Sequence, residues 1–358
     1  MLNARPRPMS RGMWTFLRAG AFLAPLLSVA SAADELRVAL LVTHENGPES
    51  ALVFATPGQP LPPSAAWLSH RPDAAVRGAL LPDTEAAAVV ADEAPGRDRS
   101  WGSTLFVVET GRPARPLCDR VAYAARPLVT GDGWIVVPRG EAGVERTGEL
   151  RVDTLTVAEV DPGSGTVRTL FTTTGFAAFP AVLHGKDVVV YVVGPDRARL
   201  VAVDREDGHV RVLVPSLPPF ARDFSVTPEG HVVFANRDAL RRDLWTVESV
   251  DLASGEALRL HASRFAALAP HVWKDGTVTW NSRDPGSASE AAGALAPPED
   301  TGLLEIVAAS ADGSRAAAHH LRPGAKALEA VVVDRLGRIS SRIVPPVGAR
   351  LEIVGLLP

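Results

Sequence analysis

Residues Phe224–Leu260 read FSVTPEGHVVFANRDALRRDLWTVESVDLASGEALRL. The stretch contains four short apolar runs in two pairs, and each pair is joined by a turn that carries glycine, at Gly230 and Gly255. Short apolar runs bounded by turn residues are typical of β-strands. Glycine suits such turns because it adopts a positive φ without steric strain. The stretch therefore predicts two successive β-hairpins.

Copies of both hairpins recur along the chain in two alternating series. Turns of the first kind follow one another at steps of 50, 52, 45, 46 and 61 residues, and the long last step contains an insertion over residues 284–301. Steps of about 40 to 50 residues are typical of four-stranded propeller blades. We therefore expect each period to hold an inner and an outer hairpin. The inner turns lie at Asp83, Gly133, Gly185, Gly230, Gly276 and Gly337, and the outer turns at Gly111, Gly165, Gly208, Gly255 and Gly313.

Six inner hairpins predict an all-β chain folded as a six-bladed β-propeller. Since only five outer hairpins occur in the body of the chain, the sixth is expected from the termini. Leu36 to Val42, with Ala51 to Phe54, would complete the blade begun by Leu328 to Val344 and Leu351 to Val354. Such pairing of the N- and C-terminal strands removes exposed sheet edges. A β-sandwich is the alternative architecture, but it gives no reason for a sustained double period.

The same stretch resembles the propeller repeat of the TolB family. Pro228–Gly230 fills the place of its first turn, Arg237–Asp238 that of its arginine-aspartate pair, and Asp251 with Gly255 that of its second turn. The resemblance extends loosely over residues 75–345 and implies six blades, an exported location, a protein-binding role and no catalytic residues. TolB carries a separate α/β domain before its propeller, for which residues 33–75 are too short. Weaker copies are Lys274–Gly276 with Arg283–Asp284, and Gly131–Gly133.

The N-terminus predicts a signal peptide cleaved near Ala32. Residues 1–18 carry four arginines and no acid, and an apolar stretch from Ala19 to Val29 precedes Ala30-Ser31-Ala32. The alternative of a short buried helix lacks a polar face. We therefore expect a periplasmic or secreted protein in which residues 33–358 form one propeller domain, with a flexible insertion over residues 284–301. No stretch reaches the roughly 20 apolar residues that a transmembrane helix needs, so the mature chain is expected to have no transmembrane segment.

Net charge and cysteine content limit the kinds of binding partner and cross-link that we expect for this chain. Removing residues 1–32 takes away four of the 37 basic residues and none of the 41 acidic ones, which leaves a net charge of −8. Nucleic-acid affinity depends largely on neutralising phosphates, so we expect no nucleic-acid partner. Cys118 stands alone, so it forms no intramolecular disulfide and is expected in the core. The expected partner is another envelope protein or an acidic ligand, bound by a monomer.

The sequence carries no catalytic motif, cofactor motif or paired metal ligands. Gly-x-Ser-x-Gly is missing, and His319 and His320 are adjacent, so on a strand they face opposite sides. The chain is therefore predicted to be non-enzymatic. The alternative is a metal-dependent hydrolase of lactonase or phytase type, which would place three or more carboxylates at the central channel. A third hypothesis is a purely structural module, which would have no deep pocket.

Two sets of residues are candidates for binding. Alignment of the innermost strands on their turns places polar side chains at the channel mouth, where they could contact a ligand or simply pair with one another. Loops that leave one face of the propeller are rich in arginine, whose guanidinium matches carboxylates and phosphates, although aspartates in the same loops could neutralise them. Channel-mouth candidates are Arg77, Arg126, Asp223, His271 and Glu329; binding-face candidates are Arg97, Arg99, Trp101, Arg237, Arg241, Arg242 and Arg283.

Overall fold

The computed structural model describes residues 36–45, 47–92, 101–142, 152–238, 240–241, 243–264, 267–282, 294–295, 303–322 and 328–358. The predicted signal peptide and most of the predicted flexible insertion lie outside these residues. Within them every regular element is a β-strand, which confirms the all-β class, and none is a helix that could span a membrane.

The described residues form 27 strands. These are β1 (Arg37–His44), β2 (Glu49–Ala55), β3 (Ala66–Ser69), β4 (Arg77–Leu80), β5 (Ala86–Asp92), β6 (Ser103–Glu109), β7 (Arg115–Val121), β8 (Leu128–Val129), β9 (Ile135–Ala142), β10 (Val152–Val160), β11 (Val167–Thr173), β12 (Ala177–His184), β13 (Asp187–Val193), β14 (Ala198–Asp204), β15 (Val210–Leu217), β16 (Arg222–Val226), β17 (His231–Arg237), β18 (Trp245–Asp251), β19 (Ala257–Ser263), β20 (Ala267–Val272), β21 (Val278–Ser282), β22 (Ala294–Leu295), β23 (Leu303–Ala309), β24 (Arg315–Leu321), β25 (Glu329–Asp334), β26 (Ile339–Ile343) and β27 (Ala349–Leu357).

Hydrogen bonding groups these strands into six sheets, one of which has eight strands. Its halves, β4–β7 and β8–β11, are joined through only one residue pair, Val121 with Arg139, so we treat them as two units. The described strands then form seven units. Unit 1 is β27-β1-β2-β3, unit 2 is β4–β7, unit 3 is β8–β11, unit 4 is β12–β15, unit 5 is β16–β19, unit 6 is β20–β22 and unit 7 is β23–β26.

Unit 5 shows how the local sequence produces the sheet. The stretch over residues 224–260 forms the β16–β17 and β18–β19 hairpins, as predicted, and β17 pairs with β18 along its full length. Gly230 and Gly255 have φ values of 91° and 73°. A side chain on Gly255 would also lie 2.9 Å from the carbonyl oxygen of Leu213 in unit 4. Glycine is therefore required there both by the backbone and by the neighbouring unit.

The units pack face to face in chain order, in a propeller-like arrangement. One buried apolar cluster joins Val90 of unit 2, Ile135 of unit 3 and Val188 of unit 4. At the chain ends, β27 pairs antiparallel with β1 and also contacts β4 of unit 2 and β23 of unit 7. A second cluster joins Ile353 of unit 1 to Val332 of unit 7. The last unit thus packs on the first.

The assignment of hairpins to inner and outer positions needs correction in the last part of the chain. Gly313 joins β23 to β24, and β23 contacts the innermost strands β20 and β27. Gly337 joins β25 to β26, the outer strands of unit 7. Leu328 to Val344 therefore complete unit 7 and not the terminal unit. Inner and outer hairpins stop alternating after β21, where the outer hairpin of unit 6 would be expected. The predicted count of six blades is therefore not confirmed.

Ion pairs between neighbouring units support this reassignment. Arg205, in the β14–β15 turn of unit 4, contacts Asp132 in the β8–β9 turn of unit 3 at 3.1 Å. Arg335, in the β25–β26 turn, makes the matching ion pair with Asp275 in the β20–β21 turn of unit 6. In both cases an arginine in an outer turn reaches the inner turn of the preceding unit. The Gly337 turn therefore occupies the same position as the Gly208 turn.

Arg205 also contacts Glu159, which is fully buried in β10 and contacts Arg168 as well. We predict that Arg205→Ala lowers the free energy of unfolding by about 3 kcal/mol, since removing one partner of a buried ion pair leaves an uncompensated charge. Urea unfolding followed by tryptophan fluorescence measures this. Lys186→Ala removes an exposed partner of Asp204 nearby and is expected to change stability little. Equal effects of the two substitutions would contradict the prediction.

Candidate functional site

A central cavity of about 760 Å³ lies where the innermost strands of units 2 to 7 begin. Four of the five channel-mouth candidates line it together, and a binding role for them remains a prediction. The four are Arg77, Arg126, Asp223 and His271.

Glu329 does not lie at the cavity, which corrects its predicted place. It is buried in β25, the third strand of unit 7, and pairs with Arg322 at 2.5 Å and Arg342 at 2.9 Å. The error follows from the assignment of the Gly337 turn to an inner hairpin. Glu305, on the true innermost strand β23, lines the cavity instead.

Two arginines at the cavity share one buried carboxylate. Glu352, on β27, accepts hydrogen bonds from Arg77 Nη1 at 2.6 Å and from Arg126 Nη2 at 2.7 Å. Its side chain is 7% exposed, whereas those of the arginines are 41% and 30% exposed. The carboxylate therefore anchors two guanidiniums whose outer faces remain open to the cavity.

His319 connects this group to Glu305. Its Nε2 accepts the backbone N–H of Ile353 at 3.0 Å, so Nδ1 carries the proton of the neutral ring. Nδ1 lies 3.7 Å from Glu305 Oε2. Because the lone pair of Nε2 is already used and the ring is buried, His319 orients the carboxylate and is not placed to act as a general base.

The charges of this group balance. His319, and then Arg126 and Arg77, hold the pKa of Glu305 at about 2, below its ordinary value of 4.5, although burial opposes this shift. Glu305 is therefore ionised at neutral pH. We call Arg77, Arg126, Glu305 and Glu352 the charged arc; its two guanidiniums and two carboxylates sum to zero.

Aromatic side chains line the rest of the cavity. Tyr123, Phe179 and Phe224, which we call the aromatic arc, lie at the start of units 3, 4 and 5. Tyr123 and Phe179 are 39% and 37% exposed. Phe224 packs between Tyr191 and Phe234, with 5.4 Å between ring centroids in each pair. The arc thus combines a fixed ring with two accessible ones.

His271 extends the aromatic wall into unit 6. Its ring meets Trp273 edge to face at 5.1 Å, and burial lowers its pKa from 6.5 to about 4. At neutral pH it is therefore uncharged. Beside it, Asp223 accepts the backbone N–H of Ala269 at 3.0 Å. Asp223 and Ala269 have φ values of 56° and 49°, a left-handed conformation that costs a non-glycine residue on the order of 1–3 kcal/mol.

A second cavity, of about 810 Å³, opens toward the inner turns. Arg126, Leu128, Val129 and Val307 line both cavities, so the two follow one another along the innermost strands. The second cavity is mainly apolar and has the Arg37–Glu85 ion pair, at 2.8 Å, on its wall. The aromatic arc is therefore confined to the first cavity, whereas Arg126 of the charged arc borders both.

Two findings revise the predicted arginine-rich binding face. Trp101, predicted as a possible exposed binding aromatic, is 8% exposed and belongs to the apolar core, so that prediction is wrong. The guanidinium of Arg237 stacks over the rings of Trp245 and Phe220 at 4.6 and 5.6 Å, which gives it a packing role. Arg241 is exposed. The remaining candidates, Arg97, Arg99, Arg242 and Arg283, lie outside the described residues.

The hydrolase alternative predicted three or more converging carboxylates. In the part of the chain that the structure describes, no group of three or more histidine, cysteine, aspartate or glutamate side chains is arranged to hold a metal ion. Glu305 and Glu352 approach the same place, but each faces arginine or histidine nitrogens. Both oxygens of Glu352 accept hydrogen bonds from arginines, whereas Glu305 lies 3.7 Å from His319 and its side chain is 47% exposed.

No protein family model matches the chain, and no curated protein matches it in sequence. Among solved structures, TolB from Acinetobacter baumannii superimposes with a TM-score of 0.52 at 12% identity, over 90% of this chain and 66% of that one. A putative TolB from Agrobacterium tumefaciens gives a TM-score of 0.45 at 10% identity, over 90% and 99%.

A puromycin-hydrolyzing peptidase from Mycobacterium tuberculosis superimposes with a TM-score of 0.52 at 18% identity, over 75% of this chain and 46% of that one. The chain thus spans about two thirds of the length of the Acinetobacter protein and less than half of the peptidase. At these identities the similarities show the fold, which is a TolB-like propeller.

The low pKa of Glu305 gives a direct prediction. A carboxylate whose folded-state pKa is depressed stabilises the protein above about pH 4.5 and loses that contribution as pH falls toward 2. In protein labelled with ¹³C at glutamate carboxyls, the resonance missing from Glu305→Gln should titrate near pH 2. In His319→Gln its midpoint should rise, because the largest cause of the shift is gone. A midpoint near 4.5 in the unmodified protein would contradict this geometry.

Proposed function

We propose that this chain is an exported, non-enzymatic TolB-like propeller that binds a protein segment in its central cavity. The observation that carries the proposal is the pairing of accessible aromatic rings with a charge-balanced arginine–carboxylate arc around one cavity. Exposed aromatic rings offer contact area at low entropic cost, and arginines supply hydrogen bonds that fix orientation. Such a surface suits recognition.

The proposal includes a closed ring of seven sheet units in place of the six blades expected from turn spacing. Contacts of β27 with β4 on one side and β23 on the other support closure. The repeated ion pairs from outer turn to preceding inner turn support the count, since they place β23–β26 directly after β20–β21. The central cavity then lies on the axis of the ring.

The charge of the cavity favours a protein segment of low net charge over a polyanion. Carboxylates in or beside the wall offset its two arginines, since Arg77 and Arg126 both pair with Glu352 and also lower the pKa of Glu305. An acidic ligand would have to compete with these carboxylates for the guanidiniums. The acidic ligand expected from the arginine-rich loops is therefore the less favoured partner at this site.

Exported location is part of the proposal. It is supported by the basic and then apolar N-terminus with Ala30-Ser31-Ala32, and by the likeness of the fold to TolB. A metal-dependent hydrolase stays the alternative function, since a peptidase also shares the fold. Both oxygens of Glu352 already accept hydrogen bonds from arginines, which favours binding over metal-dependent hydrolysis.

Site-specific crosslinking tests the proposed function. With p-benzoylphenylalanine in place of Phe179, irradiation in an envelope extract of the producing organism should give one discrete adduct. Mass spectrometry should map the adduct to a single segment of one partner. The matched control carries the crosslinker in place of Leu258, an exposed residue on the outer strand β19. No adduct at Phe179, or the same adducts at both positions, would refute binding in the cavity.

The hydrolase alternative makes an opposite prediction about metal ions. A propeller that uses calcium should gain thermal stability from saturating Ca²⁺, because a ligand that binds only the folded state raises the melting temperature. We expect equal melting temperatures with millimolar Ca²⁺ and with EDTA, measured by scanning fluorimetry. An increase of several degrees with Ca²⁺ would favour the hydrolase.

A further inference from the structure

Building on the proposed function, we infer that the bound segment inserts an arginine side chain into the central cavity. Three properties of the cavity wall carry the inference: aromatic rings without a stacked cation, carboxylate oxygens without a bound donor, and an excess of carboxylates over arginines. A guanidinium is planar, permanently charged and rich in N–H donors, so this one group uses all three properties.

The aromatic arc is free to stack with a cation. Tyr123 and Phe179 are each more than one third exposed at the cavity, and Phe224 lies beside them on the next unit. Elsewhere in the chain the protein's own guanidiniums lie over aromatic rings, as that of Arg237 does over Trp245 at 4.6 Å. Within the described residues no such guanidinium lies over a ring of the aromatic arc. The arc is therefore open to a guanidinium from a ligand.

Two carboxylates present free oxygens to the cavity from units 5 and 7. The side chain of Glu305 is 47% exposed, and its Oε2 lies 3.7 Å from Nδ1 of His319. Asp223 directs Oδ2 at a backbone N–H of β20 and at Nε of Arg222, which is 59% exposed and does not line the cavity. Within the described residues neither Oε1 of Glu305 nor Oδ1 of Asp223 has a hydrogen-bond partner. Both oxygens are therefore available to a ligand.

The spacing of these acidic groups favours an organic cation over a metal ion. His271, on the unit between the two carboxylates, adds no positive charge at neutral pH, because burial lowers its pKa to about 4. In the part of the chain that the structure describes, Asp223, His271 and Glu305 are not arranged to hold a metal ion. A guanidinium spreads five N–H groups over a planar fork. It therefore suits acceptors that are set apart on different units.

The distribution of charge around the cavity determines where the cation lies. Arg77 and Arg126, on units 2 and 3, are both paired with the buried Glu352. The lining carboxylates Asp223 and Glu305 lie on units 5 and 7. Three carboxylates therefore face two arginines, and the two that are accessible are on other units than the arginines. A ligand guanidinium is attracted to the side of units 5 to 7, next to the aromatic arc, and repelled from units 2 and 3.

Fluorescence anisotropy with synthetic peptides tests the inference. The probe is a fluorescein-labelled, C-terminally amidated Gly-Ser octapeptide with one arginine at its centre. The control peptide carries citrulline there, which has nearly the same shape as arginine but no charge. We expect the arginine peptide to bind at least about tenfold more tightly, a difference of about 1.4 kcal/mol. The difference should shrink at high salt, because salt screens the attraction between charges.

Variants of the wall locate the binding site of the arginine. Glu305→Gln should remove most of the preference over citrulline, because the amide keeps the size of the side chain and loses its charge. Asp223→Asn should reduce it in the same direction, and asparagine also tolerates the left-handed backbone there. Phe179→Ala should weaken the arginine peptide severalfold. Glu256→Gln neutralises an exposed carboxylate in the β18–β19 turn, outside the cavity, and should leave binding unchanged.

Melting temperatures establish that each variant is folded. Equal affinity for the arginine and citrulline peptides, equal affinity for a lysine peptide, an undiminished preference in Glu305→Gln, or an equal loss in Glu256→Gln would each overturn the inference. If the arginine peptide fails to bind while the crosslink at Phe179 still forms, the arginine inference falls and the proposed function stands. If both fail, the proposed function falls as well.

Discussion

The antiparallel pairing of β27 with β1 is the constraint on which the rest of the structure depends. It places the C-terminal strand innermost in unit 1, in contact with β4 and β23. Glu352 thereby reaches Arg77 and Arg126, which lie 275 and 226 positions away in the chain. Without this pairing the first and last units would expose strand edges, and the two arginines at the cavity would lack their shared carboxylate.

That carboxylate also determines what kind of site the cavity is. Two guanidiniums held side by side repel each other, and a buried Glu352 offsets this repulsion while leaving their outer faces open. Burying the carboxylate costs solvation, which the paired hydrogen bonds recover only because both arginines are in place. The arginines are therefore oriented before any ligand arrives, and the ligand does not have to order them.

The hairpins, their glycine turns and four cavity residues were predictable from the sequence, because turn chemistry and strand alternation are local signals. The radial position of a hairpin is not local: the turns at Gly313 and Gly337 look alike in sequence, so Glu329 was predicted at the cavity and Glu305 and Glu352 were missed. One signal in the sequence could have identified the Gly337 turn as an outer turn. Asp204-Arg205 and Asp334-Arg335 begin outer turns with the same pair, and in each the arginine reaches the inner turn of the preceding unit.

The charged and aromatic arcs give the cavity two kinds of contact surface whose charge is constant around neutral pH. The pKa of Glu305 lies near 2 and that of His271 near 4, so neither group changes charge near neutral pH. The arginines are permanently charged, and Glu352 holds both of them while the side chain of Glu305 stays 47% exposed. The charged arc therefore presents both N–H donors and carboxylate oxygens to the cavity. Together with the accessible rings of Tyr123 and Phe179, it gives the cavity directed polar groups beside flat apolar ones.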